Sequence, residues 1–256
     1  MSALGGFARL RGKTALITGA SSGIGASTAI LFARCSATVV LTARRVDKLA
    51  EVKKQCLAAY EESTGKKDEE AALALEADMT NKSDVEGLQG KLEGRKIDIL
   101  VNNAGMVRGR EHVGDIADED IDIMMQTNVI GLIRLTQIIV REMKNQGSGT
   151  IINLGSIAGR EAYAGGTPGQ QFLAASSVEM LIPQQGMVET EFSVVRFRGD
   201  KARADNEYSG LTPLTGDDIA EEIVWCASRP DHVQIAQMLI FPTAQAAAVI
   251  SYRKPE

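Results

Sequence analysis

The sequence predicts an α/β fold, a doubly wound parallel sheet with helices on both faces, three layers deep. Three observations predict it. Short apolar, β-branched runs alternate with longer stretches of helical periodicity through most of the 256 residues. The first such run ends at a glycine-rich turn that opens directly into a helical stretch. No Pro-, Gly- or Ser-rich linker divides the chain, and its length suits one well-cored domain spanning residues 1–256.

The elements follow in order. Residues 13–18 form a short apolar run, and beyond the turn Ile24, Thr28, Leu31 and Cys35 share one helical face. Residues 37–42 are apolar and β-branched, and residues 46 to 64 distribute their charges as a helix lying on a surface does. Strand-like runs recur at 73–77, 97–101 and 150–154, with helical stretches at 82–92 and 118–144 between them. Residues 178–182 supply a sixth strand. Residues 215–228 begin a helix with Asp217 and Asp218 in its first turn, where the helix dipole favours acids, and residues 237–241 read as the last strand. The charged run 61–70 is a solvated helix end and loop.

Composition narrows the function. Hydrophobic residues at 44% and charged residues at 24% exclude the signature of disorder, so a packed core is expected. A net charge of -5 gives no electrostatic footprint for nucleic acid, and the basic stretch 196–203 is interrupted by Asp200. Cys35, Cys56 and Cys226 form no CxxC pair, which argues against both a zinc site and a disulfide framework; no metal is expected, and the thiols read as small buried hydrophobes. His112 and His232 have no partner pattern for a metal or a triad. Residues 1–13 contain no apolar leader, and no run of about 18 apolar residues suggests a membrane span. A cytoplasmic protein with no membrane partner is expected.

The turn Thr18-Gly19-Ala20-Ser21-Ser22-Gly23-Ile24-Gly25 sits between the first strand and the first helix, where a phosphate-binding turn must sit. Gly19 can take a positive φ, Gly23 lets backbone N–H groups approach a pyrophosphate, Gly25 permits close packing, and the helix N-terminus favours the anion. An ATP-type P-loop fails, because Gly12-Lys13-Thr14 would need a glycine where Phe7 stands. About twenty residues past the glycines, where an acid would receive a ribose 2′-OH, the chain has Arg44 and Arg45, which suit a 2′-phosphate and so NADP(H).

At this point the chain resembles the short-chain dehydrogenase/reductase family, a Rossmann-type fold. The spacing Thr18-Gly19-x-x-x-Gly23-x-Gly25 is similar to the family's, and further motifs follow in order. By that resemblance Asp78, in Ala77-Asp78-Met79, contacts the adenine, and Asn102-Asn103-Ala104-Gly105 is the motif after the fourth strand. Asn128 matches the asparagine that holds a proton-relay water, and Ser156, in Ile152-Asn153-Leu154-Gly155-Ser156, the catalytic serine that hydrogen-bonds the substrate carbonyl. The cofactor contacts implied are Gly19, Ser21, Ser22, Gly23, Ile24, Gly25, Arg44, Arg45, Asp78, Asn102, Ala104, Gly105 and Thr190. Thr190-Glu191-Phe192 with the arginines that follow, and Ile240-Phe241-Pro242-Thr243, resemble the branch of NADP-dependent 3-hydroxy acid and serine dehydrogenases, so a small-molecule substrate is implied. The family assembles as homotetramers or dimers.

The pattern breaks at one place. The family carries a tyrosine thirteen positions past the serine and a lysine four further on, yet those positions are Gly169 and Leu173, and no Tyr-x-x-x-Lys occurs anywhere in the chain. Residues 11–166 therefore read as the cofactor-binding and catalytic-serine part, 167–185 as a rewritten segment in which the helix after the fifth strand is shortened or absent, and 186–256 as the substrate loop, last helix and last strand. Losing that helix puts the family's oligomer in doubt. Three readings stay open: an impaired NADP(H)-dependent oxidoreductase, a non-catalytic NADP(H)-binding protein, and a product of altered splicing or a misplaced exon boundary with no activity of its own.

Overall fold

A computed structural model describes residues 6–161 and 182–254. Strands β1 (Thr14–Thr18), β2 (Thr38–Ala43), β3 (Ala72–Glu76), β4 (Ile99–Asn102) and β5 (Thr150–Asn153) form a parallel sheet in the order β3-β2-β1-β4-β5. β1 pairs on one side with β2, Thr14 opposite Thr38, and on the other with β4, Ala15 opposite Ile99. Strand order thus reverses at β1, and a crevice opens beyond the carboxyl ends of β1 and β4. After Leu154 the chain re-enters a second parallel sheet, β6 (Gly155–Ser156), β7 (Ile182–Gln185) and β8 (Gln237–Ile240), in that order.

The helices are α1 (Gly23–Arg34), α2 (Val46–Thr64), α3 (Lys82–Lys91), α4 (Asp118–Met125), α5 (Leu132–Gln146), α6 (Glu191–Arg196), α7 (Lys201–Asn206) and α8 (Gly216–Ala227). Alternate strand residues feed two cores. Ala15, Ile17, Val39, Leu41, Ile99 and Val101 pack with Phe32 of α1, Leu49 and Cys56 of α2, and Ile219 and Ile223 of α8. Leu16, Val40 and Leu100 face the other way, onto Val85 and Leu88 of α3 and Leu135 and Ile139 of α5. The sheet is buried on both faces, which is why its strands read as continuous apolar runs. Each fully buried Leu or Ile contributes about 1.5–3 kcal/mol.

Caps fix where helices begin. Asn81 accepts from the N–H groups of Ser83 and Asp84 at the start of α3, and Thr215 forms a reciprocal capping box with Asp218 at the start of α8. α4, a π-helical turn at Gln126–Gly131 and α5 make one helical run, Asp118–Gln146, which by length and composition alone could cross a membrane. Its sides say otherwise: Leu132, Leu135, Ile139 and Met143 are buried in a stripe, while Gln137, Arg141, Glu142 and Lys144 are exposed, the pattern of a core helix.

The structure places the expected strands within a residue or two. It divides the helix expected at 118–144 by the π turn, and it adds α6, α7 and a hairpin, β9 (Gln245–Ala247) with β10 (Ile250–Ser251), that the periodicity did not announce. Of the strand expected at 178–182 only residue 182 falls in β7, and 178–181 lie outside the described residues, as does the expected shortened helix. Cys56 and Cys226 are buried as expected; Cys35 is only half-buried.

Candidate functional site

The floor of the crevice is a knot between the turns that follow β1 and β4. Thr18 Oγ1 accepts the N–H groups of Asn103 at 3.0 Å and Ala104 at 2.8 Å, and Asn103 Nδ2 donates to Thr18 O at 2.8 Å. Gly19 has φ +65°, and a Cβ there would lie 2.9 Å from Ala104 Cα; a Cβ at Gly25 would lie 2.5 Å from Gly19 O. Backbone packs on backbone, and only glycine fits. Ser22 caps α1 without a side-chain hydrogen bond, so the first N–H groups of α1 have no such cap where they meet the cleft.

Past β2, Arg45 folds back over this turn. Its Nη2 donates to Ser22 Oγ at 2.7 Å and to Ser21 Oγ at 3.1 Å, and pairs with Glu191 Oε2 at 2.8 Å. The hydrogen bond from Arg45, opposed by partial burial and helped by Ser22, holds the Glu191 carboxyl below its usual range. Arg44 Nη1 stands 3.9 Å from Asp78 Oδ2, and Asp78 Oδ1 accepts from Thr80 N and Oγ1. Thr190 caps α6 by accepting from Phe192 N, and its side chain lies where a Cβ on Gly23 would be 3.2 Å away.

Gly19, Ser21, Ser22, Gly23, Ile24, Arg44, Arg45, Asp78, Ala104, Gly105, Ser156 and Thr190 line one cleft of about 500 Å³. Gly25, Asn102 and Asn128 stand behind its wall. Asn102 Nδ2 donates to Asn153 Oδ1 and Thr136 Oγ1, tying β4 to β5 and α5. Asn128, in the π turn, donates to Met106 O at 2.7 Å and accepts from Met106 N at 2.8 Å, so the side chain expected to hold a water also clamps the loop after β4. The same π turn also packs closely on the loop after β3, where a Cβ at Gly131 would collide with Met79 O. Ser156 Oγ accepts from Ala158 N at 3.2 Å and faces the cleft.

Four residues of the site were not singled out from sequence. Asn103 sits inside the Asn-Asn-Ala-Gly motif and Glu191 inside the Thr-Glu-Phe motif, so both had a signal. Arg196, in the arginine-rich stretch that follows the Thr-Glu-Phe motif, and Tyr208 also line the cleft, and neither was given a role from sequence. Tyr208 donates to Val188 O at 2.8 Å and shares a hydrogen bond with Ser193, and burial pushes its phenol up. Positions 169 and 173, and Tyr163, lie outside the described residues. Among the described residues no cluster of three His, Cys, Asp or Glu side chains could hold a metal.

The sequence matches the family model described as short chain dehydrogenase over residues 13–168. It is 40% identical over 263 residues to the NADP-dependent 3-hydroxy acid dehydrogenase of Schizosaccharomyces pombe, covering 96% of this chain and 98% of that protein. It is 33% identical over 251 residues to a serine 3-dehydrogenase of Agrobacterium fabrum, covering 92% and 96%. A solved closed form of serine dehydrogenase complexed with NADP+ superposes with a TM-score of 0.83 at 31% identity, covering 94% of this chain and all of that one.

Proposed function

The chain belongs to the short-chain dehydrogenase family, and from that premise we propose that it is an NADP(H)-dependent oxidoreductase for a small hydroxy acid, alcohol or carbonyl compound whose chemical step is impaired. One observation carries the reading: the glycine turn, the Arg44–Arg45 pair and Ser156 open onto a single cleft. The cleft fits the cofactor. A Cβ at Gly19 or Gly25 would fill the space in which the turn closes, and the arginine pair supplies donors suited to a 2′-phosphate.

When bound, the nicotinamide supplies or accepts the hydride. The residues of the chain do the rest. Gly19, Gly23 and the start of α1 present N–H groups to the pyrophosphate, Arg45 takes the 2′-phosphate, and Asn128 keeps the Met106 loop in place. Ser156 orients the substrate oxygen by a hydrogen bond but is too weak an acid to move its proton. Gly169 and Leu173 cannot titrate, and the family-model match ends at residue 168. Positioned general acid–base catalysis contributes about 10²- to 10⁴-fold in rate, so turnover should be slower by about that factor.

The missing Tyr-x-x-x-Lys equally favours a non-catalytic NADP(H)-binding protein, or a segment exchanged by splicing. Titration with NADPH, followed by fluorescence and melting temperature and then by addition of NADP+ and 3-hydroxypropionate, tests the set. Saturable binding with slow turnover supports the proposal, and binding with none favours the non-catalytic reading. Absence of both binding and a cooperative melt favours the exchanged segment, which an in-frame Tyr-x-x-x-Lys in the neighbouring genomic sequence would identify.

A further inference from the structure

Charges on the cleft wall are matched almost throughout. Among the described residues six charged ones line it: Arg44, Arg45, Asp78, Glu191, Arg196 and Glu207. Arg44 stands beside Asp78, Arg45 pairs with Glu191, and Glu207 is neutralised from outside by Arg110 at 2.6 Å. Arg196 is the exception. Among the described residues no carboxylate pairs with it, and its Nε is buried without a hydrogen-bond partner. Its guanidinium lies 5.7 Å from the centre of the Phe192 ring. The backbone around it is fixed: Arg196 ends α6, and its carbonyl accepts the N–H of Gly109 at 3.0 Å, which pins it to the loop after β4.

A cation with an unmet buried donor, on the wall of a cleft whose other charges are satisfied, is built for an anion that arrives with the ligand. The 2′-phosphate end of the cleft already has Arg44 and Arg45. We propose that Arg196 binds the carboxylate of the substrate, and so selects hydroxy acids over neutral alcohols of the same length. The assignment rests on the oxidoreductase reading above. A guanidinium offers a carboxylate two parallel N–H donors, which an alcohol cannot use in the same way.

Direct binding tests it without requiring turnover. The wild-type chain, Arg196→Gln and Arg196→Lys are titrated calorimetrically with 3-hydroxypropionate and with 1,3-propanediol, each with and without NADP+. The expected result is a preference for the acid that falls about tenfold or more in R196Q, is partly kept in R196K, and leaves diol and NADP+ affinities unchanged. Equal affinity for acid and diol, no binding of the acid, or an acid preference that survives R196Q overturns the proposal. Acid binding that depends on Arg196 while NADP+ fails to bind upholds it and overturns the cofactor assignment instead.

Discussion

Arg45 has two suitors, the Glu191 carboxylate that holds it now and, on the proposed reading, the 2′-phosphate of NADP(H). Removing the cation should weaken NADPH binding about 10- to 100-fold, the range for a hydrogen bond to a charged group, and leave NADH binding unchanged. Arg45→Ala, titrated with both nucleotides, checks this. Removing the competitor should do the reverse: Glu191→Gln should tighten NADPH binding about 1.5- to 5-fold, as befits a surface ion pair. The same pair sets a pH dependence. Because the Glu191 carboxyl is lowered by Arg45, its stabilisation is present above the ordinary carboxylate range and is lost as pH falls through the lowered value. Melting temperatures followed from about pH 6 to about pH 3 should show a decline that E191Q makes shallower, and a small one, since the Glu191 side chain is 54% exposed. Gly19, Gly23, Arg44 and Arg45 were legible in sequence because their motif is local and each residue type is demanded by backbone or charge. The roles of Glu191 and Arg196 were not, because a residue brought to the cleft by α6 meets its partners only in three dimensions.

Among the elements, the strands of the first sheet were the easiest to read, since burial on both faces makes most of their residues Val, Ile, Leu or Ala. Short elements hid. α6 and α7 have six residues each, less than two turns, too few for a helical period to show. The π turn gives no compositional sign, yet it is the element that delivers Asn128. Asn128→Ala would orphan both main-chain groups of Met106 in a buried setting, at about 1–3 kcal/mol for each group, and should lower the urea midpoint accordingly. Thr215→Ala removes half of the capping box of α8 and should cost about 1 kcal/mol, a smaller shift in the same assay.

For the molecule as a whole, the buried thiols report folding. Burial pushes both Cys56 and Cys226 up to about 12. A raised thiol pKa means the folded chain holds these protons more tightly, so their contribution to stability is intact below the ordinary cysteine range and is lost as pH climbs toward that value. At pH 8 a disulfide reagent should therefore modify the half-buried Cys35 first and reach the other two only as the chain unfolds. The architecture also bears on the proposed rewriting of residues 167–185. Five strands, complete by Asn153, form one sheet between two cores, while among the described residues Ser156 lies on a strand whose only sheet partner is β7, and β8 joins through β7 alone. In the language of networks, β7 is a cut vertex among the described strands: weaken it and β8 loses the one strand neighbour described for it, whereas every edge among β1 to β5 survives. Gly19, Gly23, Arg44, Arg45 and Asp78 all precede β7 in the chain, whereas Thr190, Glu191 and α8 follow it, so a change at β7 bears on one edge of the cleft as well as on the second sheet.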